Sequence, residues 1–189
     1  MKSIHKIIFV VIVFILAACG TNVEDDKYSK IYDMWSYMTP PHSVDIEYNE
    51  YINGQKIDYF HETTKVFSNF VERESGDEIT RLTPYQSHIR LEESNGTTVT
   101  VVTVQRYVKI GDNNIFDSPI NQSCKIDDYL LSIIIRGHEF FNVIKISCVV
   151  DSSSTKDIYY GYDEGIVAID RVSNETRREI VKAYERRLQ

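Results

Sequence analysis

From Ser43 onward the chain repeats one unit, a short run of alternating apolar and polar residues followed by a tight turn. Val44, Ile46 and Tyr48 alternate with Asp45, Glu47 and Asn49; Asn53-Gly54 follows; Ile57 and Tyr59 then alternate with Lys56 and Asp58. A period of two places the apolar side chains on one face of a strand, and Asn-Gly accepts the positive φ values of a two-residue hairpin turn. The pattern therefore predicts a β-hairpin, and it recurs. Thr63–Arg73 carries Val66, Phe67, Phe70 and Val71 before the turn Ser75-Gly76-Asp77. Ile79–Leu82 and His88–Leu91 flank Thr83-Pro84, and Asn95-Gly96 leads into the β-branched run Thr97–Val104, which Gly111–Asn114 ends. Phe140–Val150 reads as a strand, Ile158–Tyr162 and Ile166–Ile169 as a hairpin, and Ser173-Asn174 as a turn.

Two stretches fit either period. Cys124–Ile135 could line a helix face with Ile126, Leu130, Ile133 and Ile134, or end in a buried strand at Ile133–Ile135. Arg177–Leu188 could be a terminal helix or the last strand. About ten sequential strands with short turns predict a mainly β (α+β) fold. A flat sheet would leave an apolar face in water, so the expected form is an antiparallel curved sheet or half-barrel meander with one or two short covering helices. Ile31, Met34, Trp35 and Met38, spaced i, i+3, i+4, i+7 before Pro40-Pro41, would form one such helix. Its Trp35 and Tyr37 have two readings: a plug at the end of the sheet, or an aromatic patch for a partner or a lipid.

The N-terminus follows another rule. Lys2, His5 and Lys6 precede twelve apolar residues, Ile7–Ala18. Crossing a bilayer takes about 20 such residues, whereas twelve suit the apolar core of a signal peptide. The run ends in Leu16-Ala17-Ala18-Cys19, which resembles the lipobox of bacterial lipoproteins, Leu-Ala/Ser-Gly/Ala-Cys, at all four positions. The resemblance implies a diacylglyceryl group on the Cys19 thiol, cleavage between Ala18 and Cys19, and often acylation of the freed amine. Two or more acyl chains anchor stably, because each buried CH₂ contributes about 0.8 kcal/mol and one chain alone binds marginally. Gly20 is not the Asp that tends to retain lipoproteins in the inner membrane of enteric bacteria. The implied location is the outer membrane, facing the periplasm, with the outer face of the cytoplasmic membrane as the alternative. The expected organisation is a cleaved signal peptide (1–18), a lipidated cysteine with a polar tether (19–30) and a single β-rich domain (31–189).

The chain has 21 Lys and Arg against 28 Asp and Glu, a formal charge of −7, and loss of Lys2 and Lys6 with the signal peptide would make it more negative still. Phosphate backbones repel such a surface, so nucleic-acid binding is not expected. Cys124 and Cys148 would share an oxidising compartment, which favours a disulfide between them; the alternative is two separate thiols, with Cys148 as core in the run Val143–Val150. Neither has a Cys or His at zinc spacing.

Catalytic motifs fail on inspection. His61-Glu62 and His138-Glu139 begin like a zinc-protease helix, but Lys65 and Asn142 stand where the second His is needed. Asp112–Asp117 resembles a calcium loop, yet Phe116 occupies a ligand position. There is no Gly-x-Ser-x-Gly and no phosphate loop, and His42, His61, His88 and His138 have no readable partners. The expectation is a cofactor-free, non-catalytic lipoprotein that binds or helps assemble another envelope component. A carrier of lipid or another apolar ligand, similar in architecture to lipoprotein-sorting carriers, is the alternative. Hydrolysis of envelope polymers by two of the many carboxylates is a third reading. Glu93–Thr97 fits the acidic N-glycosylation sequon with Asn95 as acceptor, but Asn95-Gly96 equally suits a plain turn.

Overall fold

A computed structural model describes residues 23–117 and 122–188. The expected signal segment, the Leu16–Cys19 stretch and the start of the expected tether lie outside the described residues. A short helix, α1 (Val23–Ser29), belongs to the first compact unit of the chain; the second runs from Ile31 to the C-terminus. Within α1, Ser29 Oγ donates to the Asp26 carbonyl at 3.1 Å.

The second unit begins with β1 (Tyr32–Asp33), α2 (Met34–Met38), β2 (Val44–Ile52) and β3 (Gln55–Val66). Then come β4 (Val71–Ser75), β5 (Glu78–Pro84), β6 (His88–Ser94), β7 (Val99–Gln105), β8 (Tyr107–Val108) and β9 (Phe116–Asp117). The rest is β10 (Ser123–Ile135), β11 (His138–Asp151), β12 (Ser154–Gly161), β13 (Gly165–Ser173) and β14 (Thr176–Arg187). Twelve of these strands make one antiparallel sheet in the order β10-β11-β12-β13-β14-β2-β3-β4-β5-β6-β7-β9, while β1 pairs with β8 apart from it.

The meander thus wraps round until its last strand meets its first long one. β14 pairs with β2 along nearly its whole length, from Arg178↔Ile52 to Arg187↔Val44. The remaining gap lies between β9 and β10, and a short segment narrows it. Gly111 N–H donates to the Ile126 carbonyl at 2.8 Å, Ile126 N–H to Asp112 at 2.9 Å, and Asn114 N–H to Cys124 at 2.9 Å. A few residues on, Gln105 of β7 donates to the Ile115 carbonyl. The result is a nearly closed barrel. It carries the predicted Cys124–Cys148 disulfide, which joins directly opposed residues of β10 and β11 with Cα atoms 4.0 Å apart.

The barrel interior is packed. Leu82, Ile89, Val104, Ile126, Ile144 and Ile146 point inward from five strands and are fully buried. α2 enters among them, burying Met34, Tyr37 and Met38. Full burial of a methionine side chain contributes about 1.5–3 kcal/mol, so this one turn matters to the fold. It is also held by polar contacts. Asp33 caps it, accepting from Trp35 N–H at 3.0 Å. Arg106 forks onto the Asp33 carboxylate at 3.0–3.3 Å. At the other end the buried Arg73 guanidinium donates to the Met38 carbonyl. Thr39 folds back on the Trp35 carbonyl, and the proline pair then prevents another turn.

Several expectations need adjustment. The cap at Asp33 starts α2 at Met34, so Ile31 is not on a helical stripe and stands exposed. Thr63–Arg73 is two strands: Phe67 N–H donates to the Phe70 carbonyl at 3.0 Å, and the two rings stack across that turn. Both open stretches are strands, β10 and β14.

Candidate functional site

β10 and β11 are longer than the strands beside them, and the excess forms the most distinctive feature of the unit. β11 pairs with β12 only from Val143 onward, whereas it pairs with β10 back to His138. At the point of departure Asn142 has φ +51°. Asparagine tolerates this left-handed conformation better than most residues, and it bends the strand. Two hydrogen bonds fix the bend: the Asn142 carbonyl accepts from Tyr162 N–H at 3.2 Å and its Oδ1 from the Tyr129 hydroxyl at 2.7 Å. Beyond it the hairpin folds as a flap over the outer face of the sheet. Leu130, Ile133, Ile135, Phe140 and Val143 pack against Tyr159, Val167, Ala168, Val181 and Tyr51, a second small core outside the barrel.

The flap is pinned at its tip. Arg136 and Gly137, at φ +53° and +84°, make the hairpin turn. The Arg136 guanidinium lies over the Tyr51 ring at 4.7 Å, pairs with the Glu179 carboxylate and approaches the Gly54 carbonyl at 3.5 Å. Arginine suits this post because its planar head stacks on an aromatic face while donating from its edge.

Between flap and sheet runs an open groove of about 490 Å³. Ile133 and Ile135 form one wall, Tyr159, Ala168 and Val181 the floor, and Arg136, Asp170, Arg177 and Glu179 the polar margin. That margin begins as a conflict. Asp157, Asp170 and Glu179 lie directly opposite one another across β12, β13 and β14, an arrangement that repels. Cations resolve it. Arg177 grips Asp170 with two hydrogen bonds, at 2.7 and 3.0 Å, and reaches Glu179 at 3.5 Å. Lys145 stands between Asp157 and Asp127, 3.0 Å from each. Lys125 and then Lys145 pull the Asp127 carboxyl down from its usual 3.8 to about 2. Burial alone would lower the Lys145 ammonium, but Asp157 and Asp127 raise it above its ordinary value. Burial raises the Tyr159 phenol. Arg177 and Arg136 thus hold the Asp170 and Glu179 carboxylates in fixed positions at the groove's margin.

The residues singled out from sequence lie elsewhere. Tyr37 is inside the barrel at 4 % exposure, edge-on to Tyr32 and Tyr162; Trp35 is half-buried against the same core. Asn95 is exposed in the β6–β7 turn, where its Oδ1 accepts from the Thr97 and Thr98 N–H groups at 3.2 and 2.9 Å. His61 lies 4.0 Å from Glu47, and His88 stacks on Tyr85. Among the described residues no group of three or more His, Cys, Asp or Glu is placed to hold a metal ion. Cys19 lies outside the described residues. Sequence reasoning missed the groove because a long-range fold-back makes it. The one local hint was Tyr129–Ile135, seven uncharged residues and more apolar than one buried face requires.

No protein-family model matches the chain, and no curated protein sequence matches it.

Proposed function

We propose that the chain is a membrane-anchored lipoprotein of the bacterial envelope whose barrel acts by binding rather than catalysis. The anchor is Cys19, which carries a diacylglyceryl group on its thiol and becomes the first residue on cleavage after Ala18, and the location is the periplasmic face of the outer membrane. The groove under the flap carries the binding part of this reading. Its volume of about 490 Å³ falls in the range of small-molecule sites, and its make-up, an apolar floor with a few fixed charges at the margin, is what such sites use. The buried side chains of the barrel interior, with Met34, Tyr37 and Met38 of α2 among them, direct attention to that outer groove.

The same groove favours a second reading, a carrier of lipid or another apolar ligand. Its size limits cargo to about one acyl chain or a compact amphiphile. A partner protein would instead seat one or two apolar side chains there.

Fractionation after expression of the full chain in a bacterium fed a tagged fatty acid tests the anchor. The parent chain should carry the tag and sediment with membranes, and Cys19→Ser should carry none and be released. An untagged parent chain, or a Cys19→Ser chain that keeps the tag, would overturn the lipoprotein assignment.

A further inference from the structure

Asn-x-Ser/Thr, with x other than proline, occurs at Asn95-Gly96-Thr97, Asn121-Gln122-Ser123 and Asn174-Glu175-Thr176. Only the first has an acid two residues before the asparagine, Glu93; Pro119 and Val172 stand there in the others. Asn121 lies outside the described residues, while Asn95 and Asn174 both stand exposed in hairpin turns. The two differ in how the carboxamide is held. Asn95 Oδ1 accepts four hydrogen bonds, from the N–H groups of Thr97 and Thr98 at 3.2 and 2.9 Å and from their hydroxyls at 3.0 and 2.9 Å. The two N–H donors fix which end of the carboxamide is oxygen, because an NH₂ group cannot accept from them. Nδ2 makes no hydrogen bond among the described residues. Asn174 instead enters its turn through its backbone, at φ +50° with its N–H donating to the Ser153 carbonyl, and among the described residues its carboxamide makes no bond to Thr176.

We infer that Asn95 is an N-glycosylation site, the acceptor of an oligosaccharide carried on a lipid pyrophosphate. A carboxamide nitrogen is a poor nucleophile because its lone pair is shared with the carbonyl, so it needs activation. Donors on Oδ1 draw that electron density away and make the Nδ2 protons easier to lose, and the Thr97 hydroxyl is one of those donors. In the transfer Nδ2 bonds to C1 of the sugar and the bond from C1 to the pyrophosphate oxygen breaks. The lipid pyrophosphate leaves with the electron pair, and a base of the transferase takes the Nδ2 proton. The turn itself needs Asn95 and Gly96, the latter at φ +82°, but neither an acid at 93 nor a hydroxyl at 97. Glu93 is exposed, and its carboxylate makes no hydrogen bond or ion pair among the described residues, although Lys156 lies within its field. Its part is to be read by a cationic group of the transferase. The turn leaves room for an enzyme, since a Cβ at Gly96 would meet nothing within 4 Å. The sugar would screen Ile79 and Val99, which are exposed and in register with Ser94 beside the turn. This goes beyond the proposed function and requires only that the chain is exported.

Tryptic mapping by mass spectrometry of the full chain, purified from the cell that encodes it, tests the site; a host without such a transferase supplies the unmodified control. Peptide Leu91–Arg106 has Asn95 as its only asparagine, and Val172–Arg177 holds Asn174. The first should carry sugar on Asn95 and the second none. Asn95→Gln, Thr97→Ala and Glu93→Gln, all at exposed positions, should abolish the modification while leaving the far-ultraviolet dichroism unchanged, and Thr97→Ser should keep it. A bare Asn95 in the chain from its own cell, sugar on Asn174 or on a threonine instead, or undiminished modification of Glu93→Gln would each overturn the proposal.

Discussion

Replacing Cys124 and Cys148 together by alanine should cost about 3.5 kcal/mol of stability. The bridge closes a loop of sequence separation 24, and the chain-entropy relation gives about that value at 25 °C. The cysteines sit opposite each other in a strand pair whose neighbours, Lys125↔Ser147 and Ile126↔Ile146, hold the register without help. The bond should therefore act mainly by restricting the unfolded chain. Alanine is preferable to serine, because both sites are 2 % exposed and a hydroxyl there would need a partner. For a unit of this size about 3.5 kcal/mol corresponds to a fall in Tm of roughly 7–14 °C. Guanidinium unfolding, followed by far-ultraviolet dichroism and Trp35 fluorescence, would compare the oxidised parent, the reduced parent and the double variant. The last two should agree within about 1 kcal/mol. A total loss below about 1 kcal/mol would refute the loop-entropy argument. Loss of the native spectrum without denaturant would show that the bond holds the barrel seam itself.

Met38→Ala should destabilise by about 2–5 kcal/mol, since Met38 is fully buried in the barrel and its neighbours come from strands that cannot collapse into the space; thermal unfolding measures it. Arg136→Met keeps the stem but removes the hydrogen bonds to Glu179 and Gly54, costing about 1.5–3 kcal/mol locally. Hydrogen exchange should then quicken in residues 129–142 while the disulfide region stays protected. The Asp127 carboxyl is held near 2 against an ordinary 3.8, so its folded value is the lower one and it stabilises the fold above the ordinary value. That contribution should fade as pH falls from about 5 to about 2, and Asp127→Asn should flatten acid unfolding over that window.

Turn chemistry and alternation carried much of the meander. Asn53-Gly54 adopts φ +48° and +87°, the left-handed pair that its sequence suggests, and Val44, Ile46 and Tyr48 all face inward. Closure was not legible, because β14 finds β2 across most of the chain and no local residue marks the partner; Arg177 N–H, for example, donates to Asn53 Oδ1, 124 positions away. β10 resisted assignment for a physical reason. Its second half is apolar on both faces, one toward the groove and one exposed, so strand periodicity is erased just where the flap begins. The bend at Asn142 interrupts a run that reads as one straight strand, and asparagine alone hints at it. Trp35, the most conspicuous residue of its stretch, is half-buried, and the methionines on either side of it fill the barrel.

Native mass spectrometry of the full chain extracted from bacterial membranes, repeated after denaturation, tests the central claim most directly. The account predicts two added masses on a polypeptide beginning at Cys19. One survives denaturation and matches the acyl groups; the other, on the order of a few hundred daltons, is lost with the fold and leaves the groove. A chain carrying only its polypeptide mass before and after denaturation would contradict both the anchor and the ligand site.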